Sequence, residues 1–360
     1  KEPLQLTVDT DIQFLIREEL IKFHSIFRSK GSTVILMNVN NGEVLSMVSY
    51  PDFDLNKRAT INDVNFINRA TKGVYELGSV FKTFTVAAGL EEGLIKKDTE
   101  FLNLEKKLKC GKNIISEYDK KISSNLTVEQ ILIRSGNIGS VRIGQKLEIE
   151  KLKSFLEKIG VLSKIDFDIE EVGEPISFKW GKCKLATVSF GHGITTTPLQ
   201  LAKGYAIIAN GGFEIKPSLI KKTLKNNQNK KRLIKEGVSE QINEILRKIV
   251  TTKEGTAGFA NIKGYEVGGK TGTAEKAIIG GYTRKAKVNT FASIFPTTNP
   301  KYVMIVLLDE PKTSEDYIYK YKNKSGSYKG TPFNTAGWTS VEVAGKIIQR
   351  IGPILATKYI

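Results

Sequence analysis

Hydrophobic and polar positions change their period along this chain, and the changes mark its elements. Residues 33–38 and 43–50 are two apolar-rich runs split by Asn41-Gly42, the signature of a β-hairpin with a tight turn. Three more runs with strand character come far downstream, at 265–273, 288–295 and 302–308. Between them the pattern is helical. Residues 80–90 are apolar and helix-compatible, and 126–134 reads as a helix with Thr127 as N-cap and Glu129 and Gln130 in its first turn. A last helix is expected after Trp338, covering the sheet. Strands from both ends around a helical middle predict an α+β fold, an antiparallel sheet flanked by helices plus an all-helical lobe. No long Pro/Gly/Ser linker and no internal repeat divides the chain, so residues 1–360 read as a single domain. Within it, 1–30 is a linker or helix, 77–162 the mostly helical lobe, and 163–360 the remainder with the C-terminal helix.

Three short motifs fall on this frame in order. The first, Ser79-Val80-Phe81-Lys82, opens the apolar helical run. A serine at a helix N-terminus faces unpaired backbone N–H groups and the positive end of the helix dipole. Lys82, three residues on, shares its face, and a buried lysine near a second cation can lose its proton and act as a base. Taken alone, Ser79 serves equally as an N-cap beside a solvated Lys82. Ser218-Leu219-Ile220-Lys221 fits the same S-x-x-K pattern, but it follows Pro217 in Lys-rich polar sequence and reads as surface.

The second motif, Ser135-Gly136-Asn137, falls in the tight connection after the 126–134 helix, where both side chains can face a cleft or cap a helix. Ser123-Ser124-Asn125 fits it too and reads as a turn. The third, Lys270-Thr271-Gly272-Thr273, is the only K-T-G in the chain. On a strand bordering a cleft it offers a cation, two hydroxyls and a backbone N–H, with Gly272 letting a substrate backbone approach closely. Histidine supply narrows the chemistry. His24 and His192 are the only two, there is no G-x-S-x-G elbow, and no H-E-x-x-H accompanies the two cysteines. A Ser-His-Asp triad and a catalytic zinc site are therefore disfavoured, and a serine nucleophile served by a lysine remains. No cofactor and no metal are expected.

The motifs and the stretches around them resemble the transpeptidase domain of class B penicillin-binding proteins over nearly the whole chain, and its septal, cell-division branch most. The supporting segments are 6–13, 68–79, 189–194 with Thr197-Pro198-Leu199-Gln200, and 268–275. The elongation branch shares many of them. The resemblance implies the penicillin-binding-protein and serine β-lactamase-like fold and a peptidoglycan D,D-transpeptidase. Ser79 would attack the penultimate D-alanine of a stem peptide and Lys82 would take its proton. Ser135 would relay a proton to the leaving amine, and Asn137 would hold the substrate amide. Lys270 would keep the field positive, and Thr271 and Thr273 would bind the terminal carboxylate. The backbone N–H groups of Ser79 and Thr273 would form the oxyanion hole, where one donor is worth about 2.7–4 kcal/mol of barrier. β-Lactams would acylate the same serine. Gly136 departs from the family, where Ser or Asp is frequent, and puts in doubt any contact made from that position.

The same residues would serve a D,D-carboxypeptidase, a penicillin sensor or a class D-like β-lactamase. Against a class A β-lactamase, the acidic stretch 166–174 does not fit E-x-x-L-N, so slow turnover of penicillin is expected. Hydrophobic residues make up 40% of the chain, enough for a large core. The net charge of +17 raises nucleic-acid binding, but the basic clusters at 221–235 and 320–329 carry no recognisable nucleic-acid motif. They read instead as a basic surface near anionic lipid or cell-wall polymer. Residues 317–329 alternate Tyr and Lys and read as a mobile loop whose removal, with 314–316, leaves penicillin acylation intact. Cys110 and Cys183 either pair or stay free. The chain opens at Lys1-Glu2-Pro3 without a signal peptide or an 18-residue apolar run, as an excised domain would. The resemblance implies an inner-membrane anchor outside this chain, a catalytic domain on the periplasmic or extracellular face, and a membrane glycan polymerase and other division proteins as partners.

Overall fold

The chain enters through helix α1 (Thr10–Phe27), whose Ile12, Ile16, Leu20, Phe23 and Phe27 recur at helical spacing and are all buried. The Asp9 carboxylate caps it by accepting the N–H groups of Asp11 (3.0 Å) and Ile12 (3.1 Å). Strands β1 (Gly31–Asn38) and β2 (Val44–Tyr50) then form the expected hairpin, with Thr33 opposite Ser49 and Val34 opposite Val48. This is a computed structural model that describes residues 3–359 except 55, 58–63, 112, 222–230, 279–280 and 323.

The helical middle begins with a 3-10 turn at Gly78–Phe81 that runs into α2 (Lys82–Glu91). It continues through α3 (Val128–Ile133), α4 (Asn137–Lys158), α5 (Lys182–Val188), α6 (Pro198–Ala209) and α7 (Glu236–Thr251). Thr127 caps α3 and Thr197 caps α6 in reciprocal boxes with Gln130 and Gln200, and Pro198 opens α6. Two small antiparallel ribbons interrupt the helices of this lobe. β3 (Glu100–Phe101) pairs with β6 (Leu126–Thr127), and β4 (Lys107–Cys110) pairs with β5 (Asn113–Ser116). These runs are too short and polar to show a strand period. Cys110 on β4 is disulfide-bonded to Cys183 on α5, across 73 residues of sequence.

The C-terminal third supplies β7 (Gly268–Ile278), β8 (Gly281–Phe295) and β9 (Tyr302–Asp309), which complete an antiparallel sheet in the order β2-β1-β9-β8-β7. All of β9 is buried, as an unbroken apolar run requires when both faces are covered. Burying each Val, Leu or Ile there contributes about 1.5–3 kcal/mol. Helix α1 packs on β1 and β2, and α6 and α7 on β9 and β7. After the hairpin β10 (Ile318–Lys320) and β11 (Ser327–Lys329), helix α8 (Ser340–Lys358) packs on α1, β8 and β9, covering the sheet as expected. β7 forms the sheet edge beside the helical lobe, against the Gly78–Phe81 turn.

The described residues of 317–329 therefore belong to an anchored hairpin, not the expected mobile loop. The two-residue period turns Tyr317, Tyr319 and Tyr321 to one side. Tyr319 is wholly buried, 5.0 Å from both the Phe259 and Trp338 rings, and Tyr317 lies against Phe23 and Phe27. The other basic cluster, 221–235, falls largely outside the described residues. No helix among the described residues is long and apolar enough to cross a membrane.

Candidate active site

Helix α2 is enclosed on every side, and every residue from Lys82 to Leu90 is buried, Thr83 and Thr85 included. This carries Lys82 into the interior. Burial pushes its proton affinity down to about 7, opposed by the Glu117 carboxylate. Its Nζ meets Ser135 O at 2.6 Å, Asn137 Oδ1 at 2.7 Å and Ser135 Oγ at 3.2 Å. From the opposite wall, Lys270 Nζ on β7 donates to Ser135 Oγ at 2.8 Å and to Thr271 O at 3.0 Å. Burial and the neighbouring Lys82 also hold Lys270 well below the usual lysine range. One hydroxyl thus sits between two buried lysines, and the pair rather than either lysine sets the proton count there.

Ser135 reaches this position from a left-handed backbone, φ 56°, which is uncommon for a residue with a side chain and costs about 1–3 kcal/mol. The tight link from α3 to α4 demands it, and the Ser135 side chain is buried between the walls. Asn137 is the first residue of α4, and its Nδ2 donates to Ser116 O at 2.8 Å.

Ser79 lies in the 3-10 turn just before α2, half-buried, and among the described residues its hydroxyl has no hydrogen-bond partner. The turn is fixed from behind. Tyr205 OH, fully buried, donates to Val80 O at 2.8 Å and shares a 2.8 Å bond with Thr83. Gly78 has φ +65°, and a Cβ there would stand 3.1 Å from Thr273 O and 3.3 Å from Thr273 N. The backbones of Ser79's turn and of Thr273, expected to supply the oxyanion donors, are therefore neighbours.

Alternation along β7 sets Lys270 and Gly272 on one face and Thr271 and Thr273 on the other. The close approach seen at Gly272 is one made by the protein's own backbone. A Cβ there would lie 2.1 Å from Leu77 O, so its bare Cα is what lets β7 lie against the serine turn. Gly272→Ala should push the strand off the turn, slowing serine acylation about 100-fold and costing about 1–3 kcal/mol in a thermal melt. Thr271 shares a 2.7 Å hydroxyl bond with Thr256, and Thr273 Oγ1 accepts the N–H of Ala336 at 2.9 Å, leaving its own proton free to donate.

The structure brings Lys82, Ser135, Asn137 and Lys270 into one hydrogen-bonded group, while Ser79 lies in the turn that runs into Lys82, and Thr271, Gly272 and Thr273 follow Lys270 along β7, Gly272 and Thr273 packed against that turn. Ser218, expected on the surface, is instead 3% exposed, and its hydroxyl donates to Asp168 at 2.8 Å and takes no part in this group. Ser218 itself bridges Glu43 at the start of the second hairpin arm, its N–H donating to Gly42 O and its carbonyl accepting the N–H of Val44, both at 2.9 Å, which buries it. Ser123 lies in a turn and accepts the N–H of Asn125, as expected.

Three residues that hold the site carry no motif. Thr256 anchors Thr271. Glu76, three residues before Ser79, accepts from Gly193 N (3.0 Å) and Tyr282 OH (2.8 Å), tying the turn to the 190–193 segment and to β8. Glu117 accepts the N–H groups of Asn137 (2.6 Å) and Ile138 (2.9 Å). Glu76 lies inside a stretch that carries the family resemblance, but nothing in sequence spacing marks Glu117.

Residues 32–333 match the model of the penicillin binding protein transpeptidase domain. The chain is 33% identical to the probable peptidoglycan D,D-transpeptidase FtsI of Caulobacter vibrioides, over 99% of this chain and 59% of that protein. It is 30% identical to the probable peptidoglycan D,D-transpeptidase PenA of Neisseria flavescens, over 87% of this chain and 77% of that one. In structure it is similar to the apo transpeptidase domain of penicillin-binding protein 3 from Burkholderia pseudomallei. That likeness has a TM-score of 0.82 at 25% identity and covers 99% of this chain and 96% of that one.

Proposed function

The chain belongs to the penicillin-binding protein transpeptidase family, and we propose that it is the catalytic unit of a peptidoglycan D,D-transpeptidase with Ser79 as its nucleophile. The observation that carries this reading is the Ser135 hydroxyl held between the Lys82 and Lys270 amines. Ser79 Oγ attacks the carbonyl of the penultimate D-alanine, and its proton passes to the neutral Lys82 amine. A substrate carboxylate beside Lys270 keeps that lysine charged, so Lys82 is the neutral member of the pair. The proton then crosses Ser135 to the departing D-alanine amine as the peptide bond breaks. An acyl-enzyme remains until the amine of a second stem peptide attacks it, forming the cross-link and freeing Ser79. Thr271 and Thr273 hold the carboxylate, Asn137 the substrate amide, and the N–H groups of Ser79 and Thr273 the oxyanion.

The site favours a penicillin target over a penicillin-hydrolysing enzyme. Both oxygens of Glu117, the carboxylate that acts on Lys82, accept main-chain N–H groups, so this carboxylate is engaged in holding the start of α4. The FtsI name of one relative supports a septal role. The Cys110–Cys183 disulfide fits a domain working outside the cytoplasm, on the outer face of the cytoplasmic membrane beside a glycan-polymerising partner. We read residues 1–360 as a single catalytic domain.

The test is mass spectrometry after incubation with benzylpenicillin, followed by product analysis with a D-Ala-D-Ala donor and an added amine. The expected result is a long-lived adduct on the peptide carrying Ser79 and donor transfer to the amine. Transfer to water alone would make the protein a carboxypeptidase. Penicillin consumed without an adduct would make it a β-lactamase.

A further inference from the structure

Helix α4 begins at Asn137 behind an N-cap with no capping side chain, because residue 136 is glycine. Its first two N–H groups are nevertheless taken by Glu117, which reaches in from the end of the β4–β5 ribbon: Oε2 accepts from Asn137 N at 2.6 Å and Oε1 from Ile138 N at 2.9 Å. The ribbon holds the same residue a second way, since Ser116 O accepts from Asn137 Nδ2 at 2.8 Å. Asn137 Oδ1 in turn accepts from Lys82 Nζ at 2.7 Å.

Resting on the transpeptidase reading above, we propose that Glu117 is a positioning residue for the reaction: it caps α4 from outside in place of the side chain that Gly136 lacks, and so fixes Asn137 against Lys82. Both sides of Glu117 are tied down. The ribbon before it is linked to α5 by Cys110–Cys183, and after it Tyr118 OH donates to Arg134 O at 2.9 Å while Asp119 pairs with Arg134 at 3.2 Å. The charges around the site are Lys82 and Lys270 in the cleft, and Glu117, Asp119 and Arg134 behind it. Among these, Glu117 opposes the effect of burial on Lys82 and helps it keep its proton.

Gly136 makes the proposal testable by exchange. Its φ of −65° and ψ of 127° suit any N-cap residue, and a Cβ there would meet only ordinary contacts, Glu117 Oε1 and Leu126 Cδ1 at 3.7 Å. Glu117→Gln offers one carbonyl oxygen and turns an amide NH₂ on the second N–H. It should slow acylation by benzylpenicillin about tenfold, since misplacing a reacting group by 1 Å costs about 100-fold. It should also move the acidic limb of the rate–pH profile to lower pH, because Lys82 then loses its proton more easily. Gly136→Asp alone should also slow the reaction, by setting two carboxylates side by side. The double variant Glu117→Gln/Gly136→Asp restores one carboxylate at the helix start and should be faster than either single variant, with the limb back near the parent position. A rate loss in Glu117→Gln with an unmoved limb, or no recovery in the double variant, would overturn the proposal. An unacylated parent would instead overturn the transpeptidase reading itself.

Discussion

Replacing Lys82 by methionine should slow acylation by benzylpenicillin about 10³–10⁴-fold, the upper range for loss of a general base, and leave the fold at least as stable. The two halves have different causes. Catalysis is lost because the buried group that accepts the Ser79 proton is gone. Stability is kept because methionine fills the same slot and removes an ammonium whose burial is unfavourable, which offsets the loss of its bonds to Ser135 O and Asn137 Oδ1. The pH dependence separates them further. Lys82 holds its proton only up to about 7, against 10.5 for an ordinary lysine. The neutral amine is the base, so the parent acylation rate should rise with pH through the neutral range and level off above it. The folded state disfavours the charged form, so the unfolded chain binds more protons between about 7 and 10.5 and this lysine's contribution to stability rises with pH across that window. The stability advantage of Lys82→Met is therefore full below pH 7 and closes toward 10.5. Thermal melts and acylation rates across this range decide the matter. Near-parental acylation in the variant would mean that another group takes the proton.

What the sequence discloses about this site is local, and what it hides is tertiary. S-x-x-K, S-G-N and K-T-G each fix a short backbone geometry, and the structure joins Lys82, Ser135, Asn137 and Lys270 in one hydrogen-bonded group. The sheet was legible for the same reason. The run at 302–308 alternates nothing because both faces of β9 are covered, and Asn41-Gly42 marks its own turn. The partners that set the geometry come from elsewhere in the chain and have no period to betray them. Glu117 lies twenty residues before Asn137, and Ala336 sixty-three after Thr273. Gly272 was legible as a close approach but not as to what approaches, since Leu77 O belongs to another element. The cysteines meet only because β4 lies beside α5. Ser218, a pattern match to the nucleophile motif, is buried by a bridge to Glu43 that its own polar surroundings in sequence do not show.

The Tyr/Lys segment misled most, and it yields the second large effect: Tyr319→Ala should destabilise the protein by about 3–5 kcal/mol, as loss of a large buried aromatic does. Lysines at alternate positions make residues 317–329 look solvated throughout, yet only one face is. Tyr319 is fully enclosed, its ring 4.7 Å from Tyr317 and 5.0 Å from Phe259 and Trp338, while its hydroxyl donates to Trp338 O at 2.8 Å and meets the Thr331 hydroxyl at 2.8 Å. Removing it opens a cavity and leaves those oxygens unpaired. The neighbouring Ile318, more than half exposed on the opposite face, is the control: Ile318→Ser should shift stability by no more than about 0.5 kcal/mol. A mobile loop would give two equal, negligible effects in denaturant titrations, whereas an anchored hairpin gives a large one at Tyr319 alone. The consequence reaches the cleft. Trp338 lies two residues beyond Ala336, whose N–H is held by Thr273 Oγ1, so loosening the aromatic cluster should also slow penicillin acylation. Deleting residues 314–329 should then impair the reaction instead of sparing it.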